Sequence, residues 1–109
     1  MQIKVKIVKL MIQVLVSLFL MTSLITVTQA GDVKAGRKKA STCFSCHGFN
    51  GIGTNGQNPN LAGQKEAYLI KATMAYRDGS RGHEMMKTMV KSLTEEDIKD
   101  IAAFYSSLK

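Results

Sequence analysis

The chain has 109 residues, two cysteines, one proline, no tryptophan and a net charge of +7. That length supports one domain and excludes a multidomain enzyme, and two cysteines exclude a multi-bridge disulfide scaffold. The charge is uneven: residues 1–30 hold three lysines and no acid, whereas residues 31–109 hold twelve basic against eight acidic side chains.

In the first segment Lys4, Lys6 and Lys9 precede a run from Leu10 to Gly31 without charge. Its most apolar part, Leu10 to Met21, is interrupted only by Gln13 and Ser17. It has the length of a secretory apolar region, ~7–15 residues. Thr28-Gln29-Ala30 places small residues where a signal peptidase needs them, so residues 1–30 are expected to be a secretory signal peptide cut after Ala30. A retained anchor would need ~18 or more mostly apolar residues, and Thr22, Ser23, Thr26, Thr28 and Gln29 make the last third polar. The domain at 31–109 is then expected in the periplasm, with no stable membrane insertion after cleavage.

This domain has 79 residues and six aromatic side chains: Phe44, Phe49, Tyr68, Tyr76, Phe104 and Tyr105. Cores of roughly 70–80-residue domains seldom supply more than ~3–5 kcal/mol, and such domains usually carry a disulfide, a metal or a cofactor. Something besides side chains is expected to complete this one.

Along residues 31–109 the pattern reads helix, loop, helix, loop, helix. Asp32 suits an N-cap. Val33, Gly36, Ala40 and Cys43 recur at three- and four-residue steps, which predicts a first helix with one narrow face. Gly36 costs ~1 kcal/mol relative to alanine in mid-helix, a cost that a close backbone crossing would explain. Arg37-Lys38-Lys39 reads as a solvated face. Between Gly48 and Gly63 lie five glycines, four asparagines and Pro59, a composition that predicts a loop. Tyr68, Leu69, Ala72, Ala75 and Tyr76 form the apolar stripe of a helix over Gln64 to Asp78, stopped by Gly79. After Gly79-Ser80-Arg81-Gly82 comes a methionine cluster, Met85, Met86 and Met89. Thr94 with Asp97 predicts a capped last helix whose buried face is Ile98, Ile101, Ala102, Tyr105 and Leu108. No alternating strand pattern of useful length occurs after residue 30.

The chemistry lies at Cys43-Phe44-Ser45-Cys46-His47, a C-x-x-C-H motif and the signature of haem attachment. Two cysteines three positions apart can present their sulfurs to the two vinyl groups of one porphyrin edge and form thioethers. His47 is then held beneath the ring, within reach of the iron. A disulfide is the ordinary expectation for exported cysteines, and a redox-active one would belong in a βαβ context that is missing here. Zinc needs four ligands, and beyond this motif only His83 remains in the nitrogen and sulfur set.

Further segments are P-N-L-A-G-Q at 59–64, Y-L at 68–69, Y-R-D-G-S-R at 76–81 and L-T-E-E-D-I-K-D-I-A-A-F-Y at 93–105. With them, residues 31–109 resemble the class I c-type cytochromes, above all the small bacterial monohaem cytochromes and the single-haem halves of dihaem periplasmic cytochromes. The resemblance implies an all-α cytochrome c fold: three main helices plus a short distal segment packed around one covalently attached haem c per chain. The first and last helices would cross near right angles, with Gly36 at the crossing facing Phe104-Tyr105. It implies that the Pro59 carbonyl accepts a hydrogen bond from His47, although Pro59 also suits a turn. It places the distal axial ligand about seven residues before Leu93, which gives Met86, with Met89 second; Met85 and the unused methionines are expected to be packing. Met74 lies within a helix, and His83 is a rival axial ligand.

The expected function is single-electron transfer between a redox donor and acceptor, with no substrate chemistry. The alternative is a haem subunit or sensor of a larger complex with a labile distal ligand, or a weak peroxidase-like activity. A monomer is expected, docking on acidic faces of its redox partners. Nucleic acid is excluded as a partner by export and by the mixed charges of the last helix.

Overall fold

The computed structural model describes residues 1–21 and 29–109. Its elements are α1 (Gln2–Met21), α2 (Val33–Lys39), a 3₁₀ turn (Ala40–Cys43), α3 (Phe44–His47), α4 (Glu66–Asp78), α5 (Glu84–Val90) and α6 (Glu95–Ser107). The domain is all-helical among the described residues, as expected. Helix α1 buries none of its side chains. Among the described residues no helix is long and apolar enough to cross a membrane. Thr28 of the expected cleavage site lies outside the described residues.

Asp32 caps α2 by accepting from the Ala35 N–H at 3.0 Å. The single helix predicted from Val33 to Cys43 is instead tightened at its end. Ser41, Thr42 and Cys43 are all weak helix formers, and over Ala40–Cys43 the chain winds as a 3₁₀ turn before α3 begins. Helix α4 starts at Glu66 rather than Gln64, because Gly63 has φ 70° and Lys65, in extended conformation, is the N-cap. It stops at Gly79 with φ 86°, a left-handed position that glycine takes without a Cβ penalty. Thr94 and Asp97 form the reciprocal capping box that opens α6.

Helices α2 and α4 both pack on α6, and together they bury more of it than one amphipathic stripe. Ile98, Ile101, Ala102 and Tyr105 are buried as expected, and so are Asp100, Ala103 and Phe104. Leu108 is only half-buried. On α4 the expected stripe is less deeply seated: Leu69 is buried, Ala72, Ala75 and Tyr76 are half-buried, and Tyr68 is 50% exposed. The core gathers Ala40, Leu69, Ile101, Ala102, Phe104 and Tyr105, with Cys43 and Phe44 packed against it.

Gly36 marks the crossing of α2 and α6. A Cβ there would run into the carbonyl of Asp100 and stand 3.0 Å from the Phe104 Cβ. The crossing therefore centres on Asp100–Phe104, a turn earlier than Phe104-Tyr105. Asp100 clamps it. One carboxylate oxygen accepts from the Asp32 N–H at 2.8 Å, and the other takes the Lys39 ammonium at 2.7 Å. The same ammonium reaches Asp97 at 2.8 Å. Arg37 and Lys38 are the solvated face that the sequence suggested, but Lys39 is not part of it.

Lys39 holds the Asp97 carboxyl down at about 2, helped by the Thr94 N–H and hydroxyl. Asp100 is also lowered, by Lys39 first and then by the Asp32 N–H. A depressed carboxyl contributes stability above its unfolded pKa, and that contribution is lost as pH falls through the folded value. Lys39 is shifted upward, so its share is present below 10.5 and is lost only at strongly alkaline pH. The clamp therefore weakens between pH 3.8 and about 2. Asp97→Asn with Asp100→Asn is expected to flatten the stability profile in that window, read from urea midpoints against pH.

Candidate functional site

The motif sits where the chain leaves the α2–α6 crossing. Cys43 ends the 3₁₀ turn and is half-buried against the core, Cys46 is exposed, and both are free thiols. Burial raises the pKa of the Cys43 thiol, with a smaller push from Cys46 and an opposing hydrogen bond from Thr42. His47 closes α3 and is buried. Gly48, with φ 76°, turns the chain sharply out of the helix.

The following loop folds back onto the motif. Thr54 donates its N–H to the Cys46 carbonyl at 3.0 Å, and its hydroxyl lies 3.1 Å and 3.2 Å from the carbonyls of Ser45 and Cys46. These contacts satisfy carbonyls that a helix end leaves open. The Gly51 carbonyl accepts from Leu61 and Ala62 at 2.8 Å and 3.0 Å, and Asn60 accepts from the Gly53 N–H at 2.8 Å. The loop is thereby folded into a tight bracket. It brings the Pro59 carbonyl to 2.9 Å from His47 Nδ1. Thr54 carried no recognisable sequence signal, because its partners are backbone carbonyls.

A carbonyl only accepts, so Nδ1 carries the proton and Nε2 keeps its lone pair. Nε2 has no hydrogen-bond partner among the described residues. A buried imidazole with one nitrogen tied and the other free is the donor set that a metal-bound histidine needs. Two free thiols on the same turn complete a set suited to a covalently attached metalloporphyrin. The zinc reading finds no support: no group of three or more His, Cys, Asp or Glu side chains able to hold a metal ion occurs among the described residues. Cys43 and Cys46 are unbridged, against the disulfide reading.

The methionine cluster forms α5. Met85 is 62% exposed and Met89 40% exposed. They lie four residues apart on one face, while Met86 and Val90, also four apart, are half-buried and buried. His83 caps this helix: its Nδ1 accepts from the Met86 N–H at 3.3 Å. The Tyr76 ring meets the His83 ring edge-on at 6.2 Å, and the Arg81 guanidinium lies over Tyr76 at 4.5 Å. Arg77 donates to the Leu93 carbonyl at 3.0 Å, which ties α4 to the start of α6. The rival ligand His83 is thus engaged in fixing the first turn of the helix that carries Met86.

An all-helical domain built around a C-x-x-C-H turn, with its histidine held by a proline carbonyl, defines a protein that binds haem c covalently. The chain belongs to the cytochrome c family: the family model for cytochrome c matches residues 33–109. It is 48% identical over 81 residues to cytochrome c-554(548) of Halomonas halodenitrificans, an alignment that covers 72% of this chain and 98% of that one. It is 40% identical over 98 residues to cytochrome c4 of Pseudomonas aeruginosa, covering 89% of this chain and 49% of the relative. The structure of reduced recombinant cytochrome c4 from Pseudomonas stutzeri superposes with a TM-score of 0.70 at 38% identity, covering 73% of this chain and 47% of that one. The chain thus spans about half the length of the cytochrome c4 relatives it matches. It is a haem-based electron-transfer cytochrome.

Proposed function

We propose that this chain shuttles single electrons between redox proteins of the periplasm, through one haem c bonded to Cys43 and Cys46 and ligated by His47 and Met86. The observation that carries the reading is the His47 ring, with Nδ1 committed to Pro59 and Nε2 free. When bound, the haem supplies an iron that gains and loses one electron.

The protein's own residues set the conditions. The Pro59 carbonyl fixes the plane of the imidazole and makes Nε2 a stronger donor. Met86, from the inward side of α5, supplies a thioether, a ligand that raises the potential. His47 and Met86 would together hold the iron and keep dioxygen and peroxide from it. Residues 1–30 act as the secretory signal cut after Ala30, and residues 31–109 remain as the soluble carrier. The surplus of basic side chains in that carrier favours acidic docking faces on its donor and acceptor.

Met86→Ala tests the ligand set. The far-red sulfur-to-iron charge-transfer band of the ferric holoprotein is expected to vanish in this variant and to persist in Met89→Ala. The reduced native protein is expected to bind carbon monoxide poorly near neutral pH, whereas Met86→Ala binds it readily. A band that survives Met86→Ala overturns the ligand assignment in favour of another methionine, whereas ready binding by the native protein overturns the carrier reading and favours a sensor with a labile ligand.

A further inference from the structure

The segment Tyr76-Arg77-Asp78-Gly79-Ser80-Arg81 carries no part of the attachment chemistry, yet its side chains are engaged with one another and with the helices that follow. Asp78 accepts from the Ser80 N–H at 3.0 Å and from the Ser80 hydroxyl at 2.8 Å, and the Arg81 N–H donates to the Ala75 carbonyl at 3.0 Å. The chain leaving α4 is thus folded back on the helix it has just left, with Gly79 making the reversal. That return brings the Arg81 guanidinium over the Tyr76 ring.

The two residues that open the segment reach opposite ends of α5. Tyr76 meets the ring of His83, the N-cap residue, whose Nδ1 accepts from the Met86 N–H. Arg77 donates to the Leu93 carbonyl at 3.0 Å and stands 3.9 Å from the Glu95 carboxylate, so the chain just beyond α5 is fixed as well. The helix between needs such support. Isolated helices shorter than ~12–15 residues are marginal in water, and α5 has seven residues. Of its side chains only Met86 and Val90 are not exposed.

We propose that Tyr76 and Arg77 are positioning residues for the distal ligand: from adjacent places on α4 they hold the two ends of α5, through the His83 cap and the Leu93 carbonyl, and so keep the Met86 thioether at the iron. The assignment rests on the reading of Met86 as that ligand. Without this hold the first turn of α5 frays and Met86 spends part of its time away from the iron. Lysine cannot stand in for Arg77, because it keeps the charge but lacks the planar fork that serves a carbonyl and a carboxylate together.

The test compares holoproteins at one pH, by the rate of carbon monoxide binding to the ferrous form and the far-red band of the ferric form. Arg77→Lys, Tyr76→Leu and His83→Ala are each expected to bind carbon monoxide about fivefold faster than the wild type, the factor by which loss of an ordinary helix cap shifts an equilibrium. The far-red band weakens in step. His83→Asp, which supplies another good N-cap, is expected to restore both. Gly36→Ala, which strains the fold at the α2–α6 crossing, is expected to change neither. The proposal is overturned if Arg77→Lys and Tyr76→Leu keep the wild-type rate and band, if Gly36→Ala raises the rate as much as they do, or if His83→Asp restores nothing. A band that persists in Met86→Ala would defeat the ligand reading, separately from this one. In the wild type, where no variant has to fold, the Met86 amide is expected to exchange with solvent more slowly than the neighbouring Met85 amide; equal rates would remove the cap and the proposal with it.

Discussion

Replacing Cys43 and Cys46 together by alanine is expected to abolish covalent haem and to leave residues 31–109 without a stable tertiary fold. The largest fully buried side chains are only Tyr105 and Ile98. A core of that extent in about 80 residues supplies ~3–5 kcal/mol at best, which the ordering of loop 48–63 readily offsets. Binding energy of a group that docks only on the folded chain becomes folding energy. Mass spectrometry of the purified variant, with circular dichroism at neutral pH, checks both halves of the expectation. Retained covalent haem, or a cooperative melt without haem, would contradict it.

Gly36→Ala is expected to be the most damaging conservative substitution outside the motif. Two effects oppose one another. Alanine gains ~1 kcal/mol of helix propensity over glycine, whereas overpacking typically costs 1–3 kcal/mol and occasionally more. The second wins here, because the Cβ meets the Asp100 backbone carbonyl and the Phe104 Cβ rather than a flexible side-chain end. Asp100 has little freedom to retreat, since its carboxylate is held by Asp32 and Lys39. A net loss of about 2 kcal/mol corresponds to a fall of roughly 10 °C in the holoprotein Tm at this size. An unchanged Tm would mean that α2 and α6 can separate without cost.

What the sequence made legible was local. The Asp32 and Thr94 caps, the stop at Gly79 and the C-x-x-C-H spacing each depend on residues within a turn or two, and the structure reproduces them. Gly36 was readable as a crossing because a glycine inside a helix needs a reason. What escaped was non-local or energetic. Lys39 looks like its neighbours Arg37 and Lys38, and only the approach of α6 separates it from them. The 3₁₀ turn reflects a balance of weak propensities that a periodicity count cannot resolve. Met85 and Met86 are chemically identical, and only the packing of α5 on α4 leaves Met86 half-buried and Met85 exposed. Tyr105 was legible as an apolar position on α6, but nothing in its spacing shows that its hydroxyl would find no partner.

The Asp100 carboxylate joins residues 68 and 61 positions away in the chain. In polymer terms this is a buckle: α2 is held near both ends by one side chain, and nearly the whole domain becomes a closed loop. The entropy of closing such a loop grows only as the logarithm of its length, so lengthening the glycine- and asparagine-rich bracket adds little to it. The cost of opening the buckle is by contrast concentrated in one carboxylate. The domain therefore tolerates variation in contour length far better than the loss of a single charge at its seam.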